Sequence, residues 1–224
     1  MLVVESVGRV RRTGFNVDLS YSPRQGIFSN IRYGFSNNMN DGDDALTPPA
    51  SGTYLTEWAR TRDGRHRVNW NIGVPIQRWG LFTSINGRWN SGGFYTITTG
   101  RDDNIDAIYN DRPVGVSRNT LQSDYTIQND MRVSWTLPAV RPNGSLNFQR
   151  GPGGGGGPRG PGGPGGRGGN QQNQRRFEMY LSVQNLLNRV NKTSFVGVQT
   201  SPYFMKATSA QAARRVELGW RYSF

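Results

Sequence analysis

The last ten residues, Arg215-Val216-Glu217-Leu218-Gly219-Trp220-Arg221-Tyr222-Ser223-Phe224, alternate without a break. Val216, Leu218, Trp220, Tyr222 and Phe224 are apolar, and the residues between them are not. Successive side chains on a strand point to opposite faces, so all five apolar groups share one side. A water-facing C-terminus is ordinarily polar and frayed. This run instead ends on aromatics, which predicts a strand with one face against an apolar medium. Two settings supply one: the interior of a soluble sandwich, or the hydrocarbon around a membrane barrel.

The same alternation recurs upstream. Phe15, Val17, Leu19 and Tyr21 form one stripe, and Ile31, Tyr33 and Phe35 another. His66, Val68, Trp70, Ile72 and Val74 follow, then Leu81, Thr83, Ile85 and Trp89, where Phe82 breaks the pattern. Met131, Val133, Trp135 and Leu137 make a fifth, and Phe177, Met179, Leu181 and Val183 a sixth. With the terminal run this predicts about seven strands. Leu2–Glu5 reads as the stub of an eighth, and no segment carries a helical period. Connections alternate in length: those at 21–26 and 75–80 are tight, whereas Asn37–Arg65, Ser91–Ser123 and Asn188–Gln211 are long. Short turns at one rim and long loops at the other follow the outer-membrane barrel plan, and a sandwich has no reason to sort its loops this way. The expected fold is therefore all-β: an antiparallel up-and-down meander that forms the C-terminal segment of a transmembrane β-barrel, not closed alone. The long loops are expected outside the cell and the tight turns in the periplasm.

Composition supports this and narrows the alternatives. Mean hydropathy is −0.67, and no run approaches the roughly 18 apolar residues of a spanning helix. Alternating barrel strands pass unseen through that test. There is no cysteine, so disulfides and thiolate metal sites are excluded. The first residues form no signal peptide. An exported barrel needs one, so the chain is expected to be a piece of something longer.

The net charge is +12, carried almost wholly by arginine; Lys192 and Lys206 are the two lysines. Positive charge raises nucleic-acid binding as an alternative. The arginines, however, sit at alternate strand positions: Arg32, Arg67, Arg88, Arg132, Arg215 and Arg221. That placement fits a polar barrel interior or contact with anionic lipopolysaccharide. The stretch 141–176 is rich in Gly, Pro and Arg and offers nothing to bury, so it is expected to be a disordered insertion on the periplasmic side. Its Arg-Gly pairs lack the interleaved aromatics of an RNA-binding tail, and no nucleic-acid partner is expected.

Several motifs carry a family resemblance. Val183-Gln184-Asn185-Leu186-Leu187-Asn188-Arg189, Ser201-Pro202-Tyr203-Phe204 and the terminal run resemble the closing strands of TonB-dependent outer-membrane receptors. The stretch Gly93-Phe94-Tyr95-Thr96-Ile97-Thr98-Thr99-Gly100-Arg101-Asp102-Asp103-Asn104, with 110–116 and Arg118-Asn119, is similar to the Oar-like branch, which carries a carboxypeptidase-regulatory-like domain. Met205-Lys206 departs from the Gly common there, and neither plug nor energy-coupling box is present. The resemblance implies a barrel of about 22 strands around a plug. It also implies uptake of a scarce solute, a metal chelate or glycan, driven by an inner-membrane energy-coupling complex. The implied partners are outer-membrane lipid and lipopolysaccharide, the barrel-assembly machinery, and the missing N-terminal strands and plug. Trp220, Tyr222 and Phe224 would form the insertion signal. An adhesin or passive porin-like barrel without energy coupling is the alternative.

Asp102, Asn104 and Asp106 alternate in the second long loop, with Asn110 and Asp111 beyond, and oxygen ligands so spaced can wrap calcium. The EF-hand pattern then fails at Ala107 and Pro113, so a polar loop held by Asx-turns is the competing reading. His66, the one histidine, falls in phase with the apolar face and has no acid–base partner in sight. No nucleophile motif or phosphate loop is present, and the chain is read as non-enzymatic. Tyr21, Trp70, Trp79, Trp89, Trp135, Trp220 and Tyr222 are candidate interfacial girdle residues.

Overall fold

The computed structural model describes residues 8–23, 26–42, 57–137, 139–140, 146–147 and 176–223. Fourteen strands follow in chain order: β1 (Val10–Tyr21), β2 (Phe28–Asn40), β3 (Ala59–Arg60), β4 (His66–Ile76), β5 (Leu81–Asn90), β6 (Phe94–Tyr95), β7 (Leu121–Gln122), β8 (Thr126–Thr136), β9 (Ala139–Val140), β10 (Leu146–Asn147), β11 (Arg176–Gln184), β12 (Lys192–Phe195), β13 (Ala207–Ala210) and β14 (Arg215–Ser223). β1, β2, β4, β5, β8, β11 and β14 lie side by side in that order, and β3 pairs with β2. Every neighbouring pair is antiparallel. The fold is thus an all-β antiparallel meander that does not close on itself; β1 and β14 are its edges. The seven strands expected from alternation are the seven long ones. The Leu2–Glu5 stub lies outside the described residues.

Register carries one row of side chains across the sheet. Leu19 faces Ile31, Ile31 faces Trp70, and Trp70 faces Gly87. Farther along, Ile72 faces Ile85, Ile85 faces Met131, Met131 faces Val183, and Val183 faces Val216. Directly paired residues share a face, so these rows define a single apolar side. Trp135, Met179 and Trp220 form another row on it. The opposite side takes Asp18 with Arg32, Asn69 with Arg88, Ser84 with Arg132, and Ser182 with Glu217. All six arginines named from the sequence fall on this polar side by the same parity. Phe82 falls there too, where it stacks on Phe28 at 6.0 Å. The break in the alternation is therefore an aromatic pair on the polar face.

Nothing among the described residues covers the apolar side. Leu218 is 71% exposed and Trp220 74%. The buried hydrophobic residues are Ala59, Phe94 and Val183, and the first two lie among the loops. A two-sheet sandwich would instead bury these rows between its layers. The sheet is one layer, held by its ladders and by contacts within each face. Trp70 lies so close over Gly87 that a Cβ there would sit 1.9 Å from the indole. Only glycine admits the ring, which replaces the missing side chain as packing surface.

Along a meander, every second connection returns to the same end. At one end the links are short: residues 22–27 join β1 to β2, and a 3₁₀ turn at Gln77–Trp79 joins β4 to β5. Gly80 closes that turn at φ 65°. The indole N–H of Trp135 donates to the Trp79 carbonyl at 3.0 Å, so Trp79 belongs to this turn rather than to a strand row. The connection from β8 to β11 leaves at this end as well. Within the expected 141–176 insertion, Leu146–Asn147 pair with β9 and Arg176 opens β11. The rest of it lies outside the described residues. The other end carries all three long connections.

Candidate functional site

Residues 41–42 and 57–65, 91–125 and 185–214 meet at the loop end and lock together. Glu57 is the centre of the first junction. Arg112 reaches its carboxylate with both guanidinium nitrogens, Nη1 at 2.8 Å from Oε1. The Arg118 amide donates to the same Oε1 at 3.0 Å. The buried Arg118 side chain continues to the carbonyls of Asn40 at 2.9 Å and Glu57 at 3.0 Å. A two-pronged Arg–carboxylate contact is the strongest charged hydrogen-bonding geometry available to side chains. Burial by itself raises the Glu57 pKa, but the Arg112 hydrogen bond, the Arg118 amide and both guanidinium charges outweigh it. Together they hold the carboxyl below its ordinary value. Nearby, Arg9 binds Asp41 through backbone and side chain at 2.7 and 2.8 Å, and these bonds hold Asp41 low as well.

Asn119 seals the first loop to the second. Its amide donates to the Arg60 carbonyl at 2.6 Å, and it exchanges hydrogen bonds with Thr96 at 3.0 and 3.1 Å. Its φ of 54° is left-handed, a conformation asparagine tolerates better than most side chains. Phe94 is buried under two arginines, with Arg60 and Arg65 at 5.2 and 5.7 Å from its ring.

The second and third loops cross by backbone pairing. Thr98 N–H donates to Gly197 O and Gln199 N–H to Thr98 O, both at 2.9 Å, forming a parallel bridge. Tyr95 lies against Phe195 with ring centroids 5.9 Å apart. Burial, then the Asp124 charge, raises the Tyr95 pKa. At Gly197 a Cβ would fall 1.8 Å from the Thr96 carbonyl oxygen, so the crossing depends on glycine. Asn191 ties the third loop back to the sheet by accepting from the Ile127 N–H at 3.0 Å and donating to its carbonyl at 2.8 Å. Asn185, from the Val183–Arg189 motif, does the same at the loop's root: it bonds Arg189 in both directions and the Ala212 carbonyl.

The calcium candidates are brought together, but their oxygens already have partners. Asp102 accepts from the backbone N–H groups of Asp106 and Ala107 at 3.0 and 2.9 Å. Asn104 Oδ1 accepts from Asp106 N–H at 3.1 Å, and Asp106 Oδ1 from Ile108 N–H at 2.8 Å. The buried Asp111 accepts from Asp103 and Asn104. This is the Asx-turn geometry. No group of three or more His, Cys, Asp or Glu able to hold a metal occurs among the described residues. Ile105 is held at φ 60° and stands 91% exposed at this tip.

Of the terminal aromatics, Trp220 and Tyr222 lie on the apolar face, paired with Met179 and Phe177; Phe224 lies outside the described residues. His66 also takes its expected face, with Nδ1 2.8 Å from the Tyr33 hydroxyl. On the polar face Arg132 stacks over Tyr180 at 3.9 Å, and the Tyr180 hydroxyl donates to Glu217 at 3.3 Å.

Glu57 and Asn191 were not singled out from the sequence, and Asn119 and Asn185 stood there only as members of motifs, without a role. A lone Glu or Asn in a polar loop carries no spacing signal, and its role exists only once distant loops meet. No family model, curated protein or solved structure matches the chain.

Proposed function

We propose that the chain forms part of the wall of a bacterial outer-membrane barrel, its apolar side against lipid and its loop layer outside the cell. The observation that carries this reading is the uncovered apolar face on a single-layer meander. Exposure on that scale is a liability in water and the working condition in lipid. The long strands have 9–13 residues, against the roughly 9–11 that a tilted barrel strand needs to cross. The sorting of loops to one end supports the same reading.

Within it, the resemblance of the closing motifs supports a TonB-dependent receptor, and that of Gly93–Asn104 with 110–116 and Arg118-Asn119 supports the Oar-like branch, taking up a scarce solute. The polar face would line the lumen. The remaining strands, the plug and the inner-membrane coupling complex would come from outside this segment. The interlocked loops favour a receptor over an open pore, because a pre-ordered loop surface loses less entropy on binding.

The test is depth-resolved fluorescence quenching. The full-length protein is reconstituted in vesicles containing bromine-labelled lipids, with a single tryptophan retained at position 70 or 220. Strong quenching at both, absent for a tryptophan placed at Ser182 on the opposite face, supports the wall. Equal weak quenching at all three would overturn it.

A further inference from the structure

The chain has 25 arginines but only two lysines, Lys192 and Lys206, and both line one open cleft of about 630 Å³ in the third loop. Asp124, Phe195, Met205 and Ser209 are among the residues of its wall. The frame is fixed by backbone. Met205 N–H donates to Val196 O at 2.8 Å, Val196 N–H to Lys206 O at 3.1 Å, and Lys206 N–H to Tyr203 O at 2.8 Å. Met205 takes φ 58° to make that turn. Hydroxyls run along the hairpin: Ser209 donates to Ser194 at 2.8 Å and meets Thr193 at 2.7 Å.

The two ammonium groups are not engaged to the same degree. Lys192 Nζ lies 3.7 Å from Asp124, in a contact whose side chains are 60% and 57% exposed. Such a pair is weak and exchanges readily for another anion. Lys206 has no ion pair among the described residues. A cleft with two positive charges, one loosely held negative charge and the apolar surfaces of Phe195 and Met205 offers complementary contacts to an anion with an apolar part. Ammonium groups on flexible stems accept such a charge without the planar two-point geometry arginine favours.

We propose that this cleft is a binding site for a small amphiphilic anion, a phosphate or carboxylate carried on an apolar group, with Lys192 and Lys206 reading the charge and Phe195 and Met205 the apolar portion. The inference stands on the loop geometry and does not depend on what meets the apolar face of the sheet.

The rarity of lysine supplies the test. Reductive methylation with ¹³C-formaldehyde labels lysine side chains and leaves their positive charge in place; this segment contributes two such signals, assigned by their loss in Lys192→Arg and Lys206→Arg. The labelled full-length protein in detergent micelles is titrated with hexyl phosphate, hexanoate and inorganic phosphate. The expected result is saturable movement of both lysine signals with the hexyl anions, and at least tenfold weaker binding of inorganic phosphate. In the unlabelled protein, measured by calorimetry, Lys192→Gln with Lys206→Gln should weaken hexyl-anion binding at least tenfold. Phe195→Ser should weaken the hexyl anions while leaving inorganic phosphate unchanged. A second titration with phosphatidylglycerol in nanodiscs separates a lipid headgroup from a free solute: movement there assigns the anion to lipid, and stillness assigns it to a soluble ligand. Non-saturating shifts, or unchanged affinity in a double-glutamine variant that keeps the wild-type loop spectrum, would overturn the site.

Discussion

Arg112 grips both carboxylate oxygens of Glu57 across 55 residues of chain, and this contact joins two loops that share no strand pairing with each other among the described residues. Glu57→Gln keeps the shape and removes the charge. Charged hydrogen bonds contribute about 1.5–3 kcal/mol each, so the variant should loosen the loop layer by that order without disturbing the sheet. Hydrogen exchange at the Arg118 amide, which donates to Glu57, reports it. Unchanged protection there would show that Glu57 does not hold the layer.

The same contact fixes a pH dependence. The folded pKa of Glu57 lies below its ordinary value. The stabilisation is therefore complete above the unfolded value, about 4.3, and is lost as pH falls through the lower folded one. Asp41, held low by Arg9, acts in the same direction. After correction for intrinsic exchange, loop protection should be flat from pH 8 to 5 and fall below it. In Glu57→Gln the fall should be smaller, leaving the share due to Asp41.

The crossing of the second and third loops depends on Gly197. Gly197→Ala should separate Thr98 from Val198 and free Tyr95 from Phe195, at about 1–3 kcal/mol for the overpacking. A nuclear Overhauser contact between the two rings, present in the native protein and lost in the variant, is the measurement.

On the sheet, Trp70 and Gly87 form a unit. Gly87→Ala should lower the denaturant midpoint in detergent, whereas adding Gly87→Ala to Trp70→Ala should cost little or nothing. Two residues in contact give coupling energies of about 0.5–3 kcal/mol. Additive losses would mean that the ring does not occupy the glycine's space.

The faces of β14 should answer differently to charge. Leu218→Arg introduces a cation on the apolar side near the strand centre, at about 2–4 kcal/mol in a bilayer. Glu217→Gln, its neighbour on the polar side, should change the midpoint little. On the proposed barrel-wall reading, deleting Phe224 should lower the amount of protein assembled per cell but leave the midpoint of what does assemble nearly unchanged. Equal responses of Leu218 and Glu217 to substitution would remove lipid from the account of the apolar face.

The number and facing of the seven long strands were legible in the sequence because a period of two states them directly, as in Val216, Leu218 and Trp220, whereas the seven short strands were not. Sorting of the connections was legible from length alone. Phe82 looked like noise, since its partner Phe28 stands two strands away, across β4. The loop layer was hidden for the same reason on a larger scale. Glu57, Asn119 and Asn191 act through backbone groups that no local pattern brings near. The Asp102–Asp106 run was visible as a cluster of oxygens, but its acceptance of hydrogen bonds from the loop's own amides, with Ile105 and Ala107 at positive φ, was not. Neither residue advertises a left-handed turn.

The bridge between Thr98 and Val198 spans a hundred residues, and the strands between them must already be in register before those two can meet. Closing so long a loop in a disordered chain is entropically unfavourable, and pairing of the intervening strands removes most of its length. The loop layer can then form only on a finished strand order. A ligand or antibody that recognises the closed layer thereby distinguishes correctly threaded molecules from misregistered ones, and the loop layer serves as a record of how the sheet was built.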